Sequence, residues 1–340
     1  VLLGDPGTGK TLTLQMALLE VLRSEENRVL PKVPVFIHLG NVDPESRLTA
    51  SDVFEYVAQA MCMGEEDKST RRLLRAAIPL LVSRRRLVLI FDGMDEMPRH
   101  AYAAQTEALS RFAAERRVKT LFSCRINDFN HQFSHKRLVL MPFVEKQVAD
   151  FVHSHLTIYP MVISGETYSR RQLVKKLLTS ELPVDVRNPY TLHLLCEFLK
   201  DRKAWPDSRV ELLDFYCQRL AGLHANGRAS IDEDSLLNNL ADIAFHLTMR
   251  NSQTSIPVGD LIERLNTSPR NGYQIIDSAI RSGLLFQSLD QGRRVVRFPH
   301  HRLQEYFCSK AVAKGHSLDW SERVDSPRWQ ETIINVLLVK

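Results

Sequence analysis

Gly4, Gly9, Lys10 and Thr11 stand at the spacing G-x-x-x-x-G-K-[ST], within the stretch GDPGTGKT. Each residue type suits polyphosphate chemistry. Glycines let backbone N–H groups approach phosphate oxygens, a lysine neutralises the outer phosphates, and a threonine hydroxyl can ligate magnesium. The loop Gly4, Asp5, Pro6, Gly7, Thr8, Gly9, Lys10, Thr11 and Leu12 is therefore expected to hold ATP or ADP, with Mg2+ on Thr11. Further along, LVLIFDGMDEM, residues 87 to 97, offers the acids such a site needs. Asp92 ends an apolar run, where a magnesium-holding carboxylate belongs, and Asp95 and Glu96 follow within reach. Either of these two could orient or deprotonate a water molecule.

A phosphate loop needs a strand before it and a helix after it, and VLL and LTLQMALLEVLR supply both. Residues 1 to 142 continue with the apolar runs VPVFIHL, LVLIF, VKTLFSC and LVLM, separated by helical patterns such as SDVFEYVAQAMCM and TEALSRFAAE. Continuous apolar strands imply a parallel sheet buried on both faces, an α/β P-loop NTPase fold with the loop at the carboxyl end of its strand. Ser51 or Asp52 is expected to cap the helix after the second run. After Met141 and Pro142 the strands are expected to stop, giving way to the helical patterns VEKQVADFVHSHL, RQLVKKLLTS and PYTLHLLCEFLKD. SRVELLDFYCQRLAGL and SLLNNLADIAFHLTM follow. VGDLIERL, YQIIDSAIRSGLL and LLFQSLDQGRRVVRF then read as two short helices and a hairpin turning at Asp290, Gln291 and Gly292, the pattern of a winged helix. The expected domains are nucleotide-binding 1–142, small helical 143–206 and winged-helix 207–315, with 316–340 beginning a helical region that could open a repeat array.

Composition narrows the classes. With 44% hydrophobic residues in 340, the chain can bury a real core. No apolar run approaches the roughly 18 residues of a membrane span, and no signal-peptide pattern is present, so a cytoplasmic protein with no membrane partner is expected. Cys62, Cys124, Cys196, Cys217 and Cys308 form no C-x-x-C pair, which suggests neither a zinc site nor a disulfide framework and fits a reducing compartment. The net charge of +5, from 45 basic and 40 acidic residues, is modest and spread along the chain. Arg84-Arg85-Arg86 and Arg116-Arg117 each precede an apolar strand, where a solvated connection is expected rather than nucleic-acid contact. A strand at residue 1 with no initiating Met reads as the interior of a longer chain.

The spacing of the acids carries a resemblance. Asp92, Gly93, Met94, Asp95 and Glu96 form D-G-x-D-E after an apolar strand, which resembles the NACHT branch of the STAND NTPases; in most AAA+ relatives the second acid follows the first directly. TLFSCRINDF (120–129), RNPYTLHLLC (187–196) and FPHHRLQEYFCSKAV (298–312) are similar to further motifs of that family, the last to F-x-H-x-x-x-Q-E-Y-F. The resemblance implies that Arg125 faces the γ-phosphate and that Pro189 packs near the adenine. Aligned on Gln304-Glu305-Tyr306-Phe307, it also implies that His300, not His301, reaches the β-phosphate of ADP and locks the winged helix over the nucleotide. His301 and Arg302 depart from the apolar residues expected there.

By the same resemblance, ADP holds a closed monomer, a trigger permits exchange for ATP, and the opened protein forms a homo-oligomer that slow hydrolysis resets. An amino-terminal effector, a carboxyl-terminal sensor of the trigger and a role in innate immune or antiphage defence are implied in the same way, with a prokaryotic flavour. Two other readings use the same loop. A motor or small-molecule kinase would need an arginine finger or an acceptor pocket with a lid, and no stretch identifies either. A DNA-reading winged helix would place Arg293, Arg294 and Arg297 on its wing, but YQIIDSAIRSGLL offers only Arg281 as a base, beside Asp277.

Overall fold

A computed structural model describes residues 1–340 except 27, 40–48, 63–67, 98, 130–135, 180, 181, 183, 225–230, 250–254, 266, 291, 292, 317–322, 324–328 and 340. Apolar runs that must be buried on both faces become the strands β1 (Leu2–Leu3), β2 (Val33–His38), β3 (Leu87–Asp92), β4 (Lys119–Cys124) and β5 (Leu138–Val139). They pair in parallel in the order β2-β3-β4-β1-β5. Between them run α1 (Lys10–Glu25), α2 (Ala50–Met61), α3 (Lys68–Ser83) and α4 (Arg99–Arg116). The two-residue alternation of a strand divides the core. Leu87, Leu89 and Phe91 face α2, α3 and α4 through Val53, Val57, Ile78, Val82 and Phe112, while Ile90 meets Leu2 and Leu14 on the α1 side. Phe91 and Phe122, on neighbouring strands, stack at 4.8 Å. The chain leaves β1 for β2, three places away, while β5 takes β1's other edge. Strand order therefore switches at the carboxyl end of β1, the place where open α/β sheets bind ligands.

The start of α2 differs from expectation. Thr49 is the cap: its hydroxyl accepts from the Asp52 N–H at 3.3 Å, and Asp52 returns the contact to the Thr49 N–H at 2.7 Å. Asp52 is thus the second half of a capping box rather than the cap itself.

The strands do not stop at Pro142. After α5 (Glu145–His155), a hairpin of β6 (Met161–Ile163) and β7 (Glu166–Tyr168) turns at Ser164 and Gly165, both left-handed with φ of 49° and 82°. Two consecutive positive φ values make a tight hairpin turn of the kind that matches strand twist. The helices α6 (Arg170–Thr179), α7 (Pro189–Arg202), α8 (Arg209–His224) and α9 (Glu233–Met249) follow as the apolar periodicity predicts. Next come β8 (Ser255–Pro257), α10 (Val258–Arg264), α11 (Pro269–Arg281), β9 (Phe286–Asp290), β10 (Arg293–Arg297), α12 (His301–Ala313) and α13 (Gln330–Leu338). β10 pairs antiparallel with both β8 and β9, and β8 was not foreseen. Of the expected hairpin turn, Gln291 and Gly292 lie outside the described residues.

One apolar cluster runs from Val148 to Trp329 and takes in every helix from α5 to α12. A separate cluster fills the sheet domain from Val1 to Phe129. Among the described residues, no helix is long and apolar enough to cross a membrane.

Candidate nucleotide site

The loop after β1 runs straight into α1, so the first side chains of that helix stand at the sheet's carboxyl edge. Lys10 Nζ donates to the carbonyls of Gly4 at 2.8 Å and Asp5 at 3.1 Å, and Thr8 Oγ1 donates to the Asp5 carbonyl. Burial lowers the Lys10 pKa, opposed by Asp95 and Asp92. Thr11 Oγ1 donates to Asp92 Oδ2 at 2.8 Å. The other oxygen of Asp92 accepts from the Ser123 hydroxyl, which in turn accepts the Gly93 N–H at 2.8 Å. Asp92 is only 3% exposed, and both of its oxygens are held in place. A hydroxyl and a carboxylate at the mouth of a phosphate loop are hard oxygen donors of the kind Mg2+ takes, so Thr11 and Asp92 fit that ion.

Gly93 opens a 3-10 turn over Met94–Glu96 with φ +79°, a conformation that favours glycine, and this turn sends the two acids into different company. Asp95 binds Arg125 twice: Oδ1 accepts the Arg125 backbone N–H at 3.1 Å, and Oδ2 lies 2.9 Å from Nε. Burial would raise the Asp95 pKa, but Arg125 and Lys10 outweigh it and hold the carboxyl below its usual range. Glu96 lies instead 3.5 Å from His38 Nε2. Burial, with Asp95 and Asp92 beside it, pushes Glu96 up to about 7. His38 is pushed down to about 4, chiefly by burial with Arg297 of β10 adding to it. Environments that drive two neighbouring carboxyls apart in this way separate a fixed anion from a group able to exchange a proton near neutrality.

The other half of the molecule closes on the loop. Asn188 caps α7, its Oδ1 accepting the N–H groups of Tyr190 and Thr191 at 3.2 Å, while its Nδ2 donates to the Pro6 carbonyl at 2.8 Å. The Tyr190 N–H also reaches the Gly7 carbonyl at 3.3 Å. A Cβ on Gly7 would sit 2.6 Å from Asn188 Oδ1, and its φ is +81°, so glycine is required here by both space and conformation. Pro189 fills the first turn of α7. From α12, Glu305 approaches Arg125 NH1 at 3.5 Å with the same oxygen that meets His301 Nδ1 at 2.7 Å. Glu305 is 2% exposed, and although burial opposes it, His301, Arg125 and Arg302 hold its pKa down at about 2.

His300 caps α12. Its Nδ1 accepts the Arg302 N–H at 3.1 Å and its ring stacks on Tyr190 at 4.2 Å, 4° from parallel. Burial pushes it down to about 3, so the ring is neutral and suited to accept. Arg302 NH1 donates to Thr191 Oγ1 at 3.0 Å.

An open cleft of about 240 Å³ lies between these parts, walled by Asp5, Pro6 and Thr8 of the loop, Arg125, Asn188 and Arg302. The structure thus brings Lys10, Thr11, Asp92, Asp95, Glu96 and Arg125 together at one edge of the sheet, places Pro189 beside the residue that grips the loop, and turns His300 towards Tyr190. Sequence reasoning missed Ser123, His38, Asn188 and Glu305. Ser123 stands two places before Arg125 in the strand already singled out, and Asn188 is the cap-forming partner of a proline at the first helical position, which was a readable signal.

Two outcomes follow from this geometry. Ser123→Ala removes the group that orients Asp92 and is expected to weaken Mg2+-dependent nucleotide binding roughly tenfold or more, measured by titrating ADP with and without magnesium. Glu96 is raised in the fold, so the stability it provides is full below its unfolded pKa near ~4.3 and is lost as pH rises through about 7. Glu96→Gln, which mimics the protonated form, should therefore be more stable than the parent at pH 8, by about 1–3 kcal/mol, with the advantage shrinking towards pH 5. Melting curves at the two pH values check this, and equal differences at both would count against the assignment.

Residues 1–133 match the family model of an AAA domain. No curated protein matches the chain significantly by sequence. Among solved structures, the chain is similar to the Aeropyrum pernix ORC1 protein in complex with DNA, at 15% identity over 92% of this chain and 87% of that one, with a TM-score of 0.41. It is similar to Cdc6p from Pyrobaculum aerophilum at 13% identity, over 92% and 87%, with a TM-score of 0.36. A STAND protein of Pyrococcus horikoshii with a tetratricopeptide repeat sensor shares 11% identity and a TM-score of 0.41; the match covers 99% of this chain but 45% of that longer one. Likenesses this distant say nothing of what this chain binds. Together with the phosphate loop, Asp92 and the parallel sheet, the sequence match gives residues 1–133 the P-loop NTPase fold, similar to that of an AAA domain.

Proposed function

We propose that this chain is an ATP/ADP-operated switch of the STAND class, of the NACHT branch, in which the nucleotide state decides whether the carboxyl-terminal half stays closed on the phosphate loop. The observation that carries this reading is the sharing of Arg125: one guanidinium, just past the end of β4, binds both the acid Asp95 and Glu305 of α12. A contact of that kind exists only while the two halves are together. Residues 207–315, with the helices α8 to α12 and a three-stranded sheet, are read as the winged-helix unit, and 143–206, with α5 to α7, as the small helical unit.

ADP or ATP would be held on Lys10 and the loop N–H groups, with Thr11 and Asp92 holding Mg2+, which supplies charge neutralisation at the outer phosphates. For hydrolysis, Glu96 is the better base, because Asp95 is committed to Arg125 by both oxygens. Glu96 takes the proton of a water whose oxygen attacks the γ-phosphorus; the bond from that phosphorus to the bridging oxygen breaks, leaving ADP and phosphate. With Arg125 tied to Glu305, turnover in the closed arrangement is slow and serves as a reset. A ligand moves such an equilibrium only by its difference in affinity for the two states, so ADP must favour the closed one. Opening exposes surface for homo-oligomerisation. An effector, a trigger sensor and a role in innate immune or antiphage defence complete the reading as the motif resemblance suggests it.

Denaturing the purified protein and identifying what it releases tests this. ADP from the parent chain and none from Lys10→Ala, whose elution volume then ignores added ATP, is the expected result. An empty parent protein with rapid continuous ATP turnover would give the motor or kinase reading the field.

A further inference from the structure

We infer that Arg302 is a direct ligand of the nucleotide's phosphates, the cation by which α12 reads an occupied loop, and that His300 acts by positioning it. This rests on the reading that the loop holds ADP or ATP. Arg302 faces the same cleft as Asp5, Pro6 and Thr8 of the phosphate loop. Its NH1 is fixed by Thr191 Oγ1, in the first turn of α7, the turn whose Asn188 grips the Pro6 carbonyl. The side chain is therefore aimed by the element that also holds the loop.

Arg302 is also short of partners. Among the described residues it makes no ion pair, and its buried Nε has no acceptor. Of the acids nearby, Glu331 pairs with Arg209 at 2.8 Å, Glu305 with Arg125 and His301, and Asp185 accepts the Arg187 N–H, while Asp5 and Asp128 share the cleft wall without an ion pair to Arg302 among the described residues. No carboxylate among the described residues pairs directly with this half-buried guanidinium, an arrangement an anion would complete, and its planar fork suits phosphate oxygens.

His300 is placed differently. Its Nδ1 is taken by the Arg302 N–H and its face by Tyr190. Turning the ring to the cleft would give up both contacts, whereas leaving it in place fixes the first turn of α12, from which Arg302 projects. The two residues that depart from the apolar expectation are thereby explained: His301 holds Glu305, and Arg302 faces the phosphates.

The test uses the full chain with ADP as the probe, in the parent, Arg302→Ala, Arg302→Gln and His300→Ala, reading ADP affinity by calorimetry and melting temperature with and without ADP. Arg302→Gln keeps a donor for Thr191 but loses the charge, and it decides the matter should the alanine variant fail to fold. The expected result is an ADP-free melting temperature no lower than the parent's in both Arg302 variants, at least tenfold weaker ADP binding, and loss of most of the ADP-induced rise in melting temperature. His300→Ala should weaken ADP less than Arg302→Ala does and should lower the ADP-free melting temperature. Parental ADP affinity in Arg302→Gln would overturn the inference, as would ADP binding lost in His300→Ala but kept in the Arg302 variants. A folded parent chain that binds no ADP would overturn the nucleotide reading itself and this inference with it.

Discussion

Arg125 has more obligations than one side chain can meet in two arrangements at once. Its backbone N–H and Nε hold Asp95, and NH1 reaches Glu305 from the far half of the molecule. Removing a buried partner from such a set leaves a charge stranded in poor solvent, so the cost of separation is set less by the attraction lost than by the desolvated groups left behind. Burial would make Asp95 and Glu305 hard to ionise, and their pKa values are nevertheless depressed. The positive charge among them must outweigh desolvation for both, and the closed arrangement of the halves depends on it.

The second grip is uncharged. Asn188 uses its amide oxygen to cap α7 and its amide nitrogen to hold the Pro6 carbonyl, so a helix start and the phosphate loop share one side chain. Neutral hydrogen bonds of this kind contribute about 1 kcal/mol each, but they set distance and angle closely. The space they leave at Gly7 admits no side chain. Around Asp92 the same logic recurs, with Thr11 and Ser123 each fixing one oxygen. Position is determined by short directional hydrogen bonds and closure by buried charge.

How far this could be read from the sequence follows from the range of each interaction. Thr11 and Asp92 were legible because a loop motif and a strand end place them whatever surrounds them. The choice between Asp95 and Glu96 was not, since it depends on how the Gly93 turn meets Arg125, which follows a different strand. The five parallel strands were legible as apolar runs, whereas β7 and β8, ETY and SIP, are neither apolar runs nor long enough to establish an alternation. Thr49, Ser51 and Asp52 each offer a capping oxygen at the start of α2, and only the reciprocal bonds assign the cap to Thr49. No local pattern foretells that the start of α7 will meet Pro6, or that Glu305 will meet Arg125; these are tertiary facts.

The division of the apolar core has a mechanical consequence. From α5 to α12 the side chains interlock in a single mass, while the sheet has its own. The covalent crossing between them is one short passage: Leu140 is still bonded to Leu3 of the sheet, and Phe143 is already bonded to Arg187. Only Met141 and Pro142 lie between. A swing of one body against the other must turn about that pair, where the proline ring leaves few torsions to spend. The joint between the two masses is thus a two-residue stretch in which the Pro142 ring fixes one backbone torsion.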